Sequence, residues 1–122
     1  MNKINQLFQQ GDGRKLLSLY FCAGSPTLEG TAHVILTLQR RGIDMVEVGI
    51  PFSDPLADGP VIQQADTEAL ANGITLAKIF EQLGGIRGQV DIPLVLMGYL
   101  NVVERYGLER FFRDCVATGV SG

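Results

Sequence analysis

Residues 44–60 read DMVEVGIPFSDPLADGP, a short apolar run that meets a glycine and then a loop dense in turn formers. Residues 45–48 (MVEV) have the length and β-branched content of a strand. Alternation places Met45, Glu47 and Gly49 on one face and Val46 and Val48 on the other. An otherwise apolar strand therefore carries one carboxylate near its C-terminal end. Just upstream, Arg41-Gly42-Ile43-Asp44 reads as a helix that stops at Gly42 and turns into the strand.

The same unit recurs on both sides. Residues 16–22 (LLSLYFC) and 93–97 (PLVLM) are also strand-length apolar runs, and Gly24 and Gly98 follow them within two residues, as Gly49 follows the first. The segments between have helical period. Thr27 is the expected N-cap of a helix carrying Leu28, Ile35 and Leu38 and closed by Gly42. Val61, Ile62, Ala65, Ala69 and Leu70 mark a second, ending at Asn72-Gly73. After Thr75, the spacing of Leu76, Ile79, Phe80 and Leu83 marks a third. Leu108, Phe111, Phe112, Cys115 and Val116 predict a last helix ending at Gly119, with Phe111 and Phe112 read as core. Strand then helix, three times without a hairpin signal, implies a parallel sheet of right-handed βα units, doubly wound or barrel. Thr118-Gly119-Val120-Ser121-Gly122 repeats the helix-to-strand junction, so a fourth strand is expected to begin there, and the 122 residues are expected to be one incomplete domain.

Composition narrows the function. The chain is 46% hydrophobic and 19% charged, enough apolar side chain for a packed core. A net charge of -3 gives no basic footprint for nucleic acid or an anionic membrane surface. No run approaches the roughly 18 apolar residues of a membrane span, and the N-terminus has no signal-peptide pattern, so a cytoplasmic protein is expected. Cys22 and Cys115 read as reduced core thiols. A single histidine, His33, read as a surface or satisfied residue, leaves no zinc spacing and no imidazole pair. No metal site is expected, and acid–base chemistry falls to carboxylates. Glu47, at the carboxyl end of a strand, lies where α/β folds place their sites; a Glu paired with a base or exposed at an edge is the alternative. Asp58 reads as a helix or turn cap before Gly59-Pro60 or as a site carboxylate.

Taken whole, EVGIPFSDPLADGPVIQ closely resembles the signature of the tryptophan synthase alpha subunit family, indole-3-glycerol-phosphate lyases with a (β/α)8 barrel fold. YFCAGSP (20–26) and PLVLMGYLN (93–101) resemble the family's first and third strands with their loops. The resemblance implies the N-terminal half of such a TIM barrel, about three βα units plus the start of a fourth strand. It places the catalytic glutamate at Glu47 and the catalytic aspartate at Asp58. It also places indole-pocket residues at Tyr20, Met97 and Tyr99, with Tyr20 standing where phenylalanine is common. Contacts to a beta subunit fall at Pro51, Asp54, Pro55 and Asn101. The implied partner is that beta subunit, in an alpha2-beta2 complex. No cofactor is implied for this chain, pyridoxal phosphate belonging to the partner. The family's phosphate-binding loops come late in the barrel, outside these residues, so the chain alone is expected to be inactive. A non-catalytic half-barrel that contacts a beta subunit is the alternative reading.

Overall fold

The computed structural model describes residues 2–122. Its sheet has three parallel strands, β1 (Ser18–Cys22), β2 (Met45–Gly49) and β3 (Leu94–Met97), in the order β1-β2-β3. Register pairs Tyr20 with Glu47 and Glu47 with Val95. A doubly wound sheet reverses its strand order at a switch point, whereas a barrel adds each strand beside the last. Three adjacent strands in sequence order occur in both, since the doubly wound order 3-2-1-4-5-6 puts its fourth strand beside the first; the segment after the last helix decides for the barrel by lying beside β3. Ser121 N–H donates to Leu94 O at 2.8 Å and Leu96 N–H to Gly122 O at 2.9 Å. Residues 121 and 122 thus lie along the free edge of β3, where a fourth strand is expected.

Among the described residues six α-helices accompany the sheet: α1 (Lys3–Gln10), α2 (Thr31–Arg40), α3 (Pro60–Ala71), α4 (Leu76–Ile86), α5 (Leu100–Tyr106) and α6 (Leu108–Thr118). Val46 and Val48 are fully buried beneath them with Ile35, Ile79 and Leu83, while Leu94 closes the layer. Truncating one of these, such as Ile35, to alanine costs about 2–5 kcal/mol. At the opposite end of the strands, Asp44 is buried and accepts from Arg14 at 2.5 Å and from Leu17 N–H at 2.8 Å. It ties the entry of β1 to the entry of β2.

Several boundaries depart from the sequence reading. The second helix begins at Thr31 with Gly30 as N-cap, because residues 27–30 close a turn in which Gly30 N–H donates to Thr27 O. Thr27 is therefore not the cap. Thr75 is one, accepting from Lys78 N–H. Gly59, not Asp58, caps α3, and Pro60 takes the first helical position, where its missing N–H costs nothing. The pattern does not announce α1, which buries no residue, or α5, which spans only seven.

The apolar stripe of α6 is wider than its contact. Phe111 is buried against Phe80 of α4, but Phe112 is 62% exposed, and Leu108 and Val116 are exposed as well. Adjacent helix positions lie about 100° apart, so α4 and α5, packed on one side of α6, cover only one of the two phenylalanines. Reading Phe112 as core is corrected. Val61 likewise stands exposed on α3. Cys22 is buried, Cys115 half-buried, and both are free thiols; His33 is on the surface. No described helix is long and apolar enough to cross a membrane.

Candidate active site

The carboxyl ends of the strands and the loops that leave them enclose a cavity of about 230 Å³ lined by Tyr20, Ile50, Ala57, Asp58, Asp66, Met97, Gly98 and Tyr99. Each strand contributes through its inward face. Tyr20 comes from β1, and Met97 ends β3. Gly49 ends β2 without a side chain, for a Cβ there would lie 2.1 Å from the Tyr20 hydroxyl oxygen. Glycine lets the Tyr20 ring lie across the end of β2. A second glycine sets the β1 loop: Gly24 has φ of 84°, and a Cβ on it would stand 2.7 Å from Ile74 Cβ.

Asp58 is held from two sides. The Tyr99 hydroxyl donates to Asp58 Oδ2 at 2.9 Å and accepts the Ala57 N–H at 3.1 Å. Behind them, the Gln63 amide donates to the Asp58 carbonyl at 2.8 Å. The Phe52 ring packs on Tyr99 with centroids 5.1 Å apart. The loop after β2 is therefore braced on the loop after β3.

Glu47 lies one layer below. The Ser18 hydroxyl donates to Glu47 Oε1 at 2.6 Å, and Ser18 stands opposite Met45, toward the entry end of the sheet. Its carboxylate is not among the groups lining the cavity. The structure thus brings together Tyr20, Asp58, Met97 and Tyr99, with Glu47 adjacent on the same sheet face. Pro51, Asp54 and Asn101 gather instead around a second concavity on the outer rim, with Phe52, Leu70, Val102 and Arg105. Pro55 lines neither concavity, and its carbonyl accepts the Asp58 N–H at 3.1 Å.

Among the polar lining residues, Asp66 escaped the sequence reading. Asp66, on α3, is only 2% exposed. Cys22 Sγ donates to its Oδ1 at 3.2 Å, and Phe52 N–H donates to its Oδ2 at 3.3 Å. The signal was present: Asp66 follows Ile62 by four residues and precedes Ala69 by three, a carboxylate on an apolar helix face.

The cavity's charged groups are carboxylates alone, Asp58 and Asp66. Burial, with the nearby Cys22, Asp66 and Asp58, pushes the Tyr20 hydroxyl well above its ordinary value. Burial and the bond to Asp58 do the same for Tyr99. Burial, reinforced by the bond to Asp66, keeps Cys22 a thiol. Both phenols are protonated donors at neutral pH, and no Lys, Arg or His lines the cavity. It suits a largely apolar group that offers a hydrogen-bond donor, and it provides no cation for a phosphate. Among the described residues, no three His, Cys, Asp or Glu side chains gather as metal ligands.

The chain as a whole has known relatives. The family model for Tryptophan synthase alpha chain matches residues 7–122. The chain belongs to the tryptophan synthase alpha chain family. It is 60% identical to the tryptophan synthase alpha chain of Phocaeicola vulgatus and 53% identical to that of Christiangramia forsetii, in each case over all of this chain and 47% of the relative. Among solved structures, tryptophan synthase subunit alpha from Legionella pneumophila superposes with a TM-score of 0.94 at 39% identity, covering 98% of this chain and 47% of that one. The tryptophan synthase complex from Pyrococcus furiosus superposes at 0.79 with 38% identity, covering 86% of this chain and 43% of that one. The chain thus spans about half the length of the alpha chains it matches, and its three parallel strands with their helices are consistent with half of a (β/α)8 barrel.

Proposed function

We propose that these residues form the carboxylate-bearing half of an indole-3-glycerol-phosphate lyase acting in tryptophan biosynthesis in the cytoplasm. The observation that carries the reading is the apolar, cation-free cavity in which Tyr99 fixes Asp58 beside Tyr20 and Met97. Indole is flat and apolar and donates one N–H, the ligand type that such a cavity accepts. The reaction breaks the bond between indole C3 and the glycerol side chain, giving indole and glyceraldehyde 3-phosphate. C3 must gain a proton and the glycerol hydroxyl must lose one.

In this reading Asp58 accepts the indole N–H and stabilises the positive charge that develops on the ring, a role suited to a carboxylate already held in place. Glu47 is the proton shuttle. To act, it leaves Ser18 and turns up its strand toward the cavity, a side-chain rotation of the kind that costs little. Tyr20 and Met97 flank the ring. The substrate phosphate requires donors that the cavity lacks, so the closing half of a barrel must supply them. Pro51, Asp54, Pro55 and Asn101 form the rim against which a beta subunit, the carrier of pyridoxal phosphate, docks. This chain needs no cofactor of its own.

The test is a chimera in which residues 1–122 are joined to the remaining C-terminal portion of the Phocaeicola vulgatus alpha chain. Indole release from indole-3-glycerol phosphate is expected. A folded chimera that releases none overturns the reading.

A further inference from the structure

We propose that Asp66 is the positioning residue for the Asp58 carboxylate, acting through Phe52 and Tyr99. Asp66 is a carboxylate within the core, and its two oxygens are turned to two different elements: Oδ1 to the Cys22 thiol at the end of β1, Oδ2 to the Phe52 N–H at the start of the loop after β2. From Phe52 the connection is continuous. Its ring packs on Tyr99, and the Tyr99 hydroxyl takes the Ala57 N–H and gives its own proton to Asp58. Asp66 therefore anchors the near end of residues 52–58, and Tyr99 anchors the far end.

The chemistry of Asp66 fits anchoring better than packing. A buried carboxylate is expensive unless its hydrogen bonds repay it, and an apolar residue at the same helix position would leave the Phe52 N–H without an acceptor. A thiol is a weak donor, so the Cys22 contact does not compete with Phe52 for the carboxylate. Asp66 also borders the cavity, yet it meets Asp58 only through the loop. Removing it should shift Asp58 without unmaking the barrel layer beneath.

The activity arm of the test rests on the lyase reading; the structural arm does not. In the chimera described above, kcat, KM and the hydrogen exchange of the Phe52, Ala57 and Asp58 amides are measured for Asp66→Ala and Asp66→Asn. Asp66→Ala is expected to speed exchange at those amides and to lower kcat about 10- to 100-fold, the scale of a misplaced catalytic group, with KM little changed. Asp66→Asn keeps an acceptor for Phe52 and is expected to restore both. In an Asp58→Asn background, Asp66→Ala should cost nothing further in kcat, because the group it positions is already gone. A kcat loss with loop amides as protected as in the parent overturns the proposal, as does an additive loss in the double variant. Should Asp66→Ala not fold, Asp66→Asn and Asp66→Ser carry the same comparison. If the parent chimera makes no indole, the lyase reading fails, and amide exchange alone decides whether Asp66 orders the loop.

Discussion

Ser18 holds Glu47: its hydroxyl donates to Oε1 at 2.6 Å, turning the carboxylate toward the entry end of the sheet while Asp58 borders the cavity above. The two candidate carboxylates are thus presented differently. Asp58 is fixed in the loop by Tyr99, whereas Glu47 is parked by a single hydroxyl on a neighbouring strand. A proton shuttle must move between donor and acceptor, and a charge stabiliser must stay still.

In the chimera, Glu47→Gln keeps the shape and removes the transferable proton. Turnover should fall by at least ~10²-fold, the lower end for a general acid–base group. Ser18→Ala should release Glu47 and leave turnover equal or higher. Steady-state kinetics of the two variants check both, and a large loss in Ser18→Ala would show that Ser18 assists rather than parks.

Asp58 and Asp54 share one loop but face different surroundings, Asp58 the cavity and Asp54 the rim. Asp58→Asn should lower indole formation by the isolated chimera ~10²-fold or more. Asp54→Ala should leave that rate nearly intact and weaken activation by a beta subunit. Indole formation with and without beta subunit separates the two; equal losses in the isolated reaction would contradict the division.

Stability should depend on pH through Asp44. The bond from Arg14, then that from Leu17 N–H, holds this carboxyl below its ordinary range. Its contribution is complete above the unfolded value of about 3.9 and is lost as pH falls through the lowered folded value. Urea denaturation of the chimera should therefore show the native protein weakening on acidification below about pH 4, with a shallower dependence in Asp44→Asn. Parallel pH profiles would remove Asp44 from the account.

Residues 1–122 alone should release no detectable indole and should self-associate. Leu17, Leu19, Met97, Leu108, Phe112 and Val116 are exposed apolar side chains, and β1 and β3 each pair with one strand only. Such edges and patches favour association. Light scattering should give a dimer or larger species. A monodisperse monomer with lyase activity would overturn this expectation.

The sequence by itself determined the strands, because apolar runs followed by Gly24, Gly49 and Gly98 have few other readings, and the sheet's parallel sense, because each strand is separated from the next by helical period. Its loop string also singled out Glu47 and Asp58 as candidate carboxylates. It misplaced the start of α2, since the turn at residues 27–30 is decided by Gly30 and not by the better capping side chain of Thr27. It read Phe112 as core because periodicity reports which residues are apolar, not which neighbours are present to cover them. Only the tertiary structure decided that Asp58 bonds Tyr99 instead of capping a helix, that Glu47 is held by Ser18, and that Asp66 joins β1 to the loop. The bonds from Ser18 to Glu47, from Tyr99 to Asp58 and from Cys22 to Asp66 join residues 29 to 44 positions apart. The bond from Phe52 to Asp66 spans only 14, because α3 folds back on its own loop. Hydrogen bonds of a few ångströms depend on where the strands bring their ends, and local pattern carries no record of that.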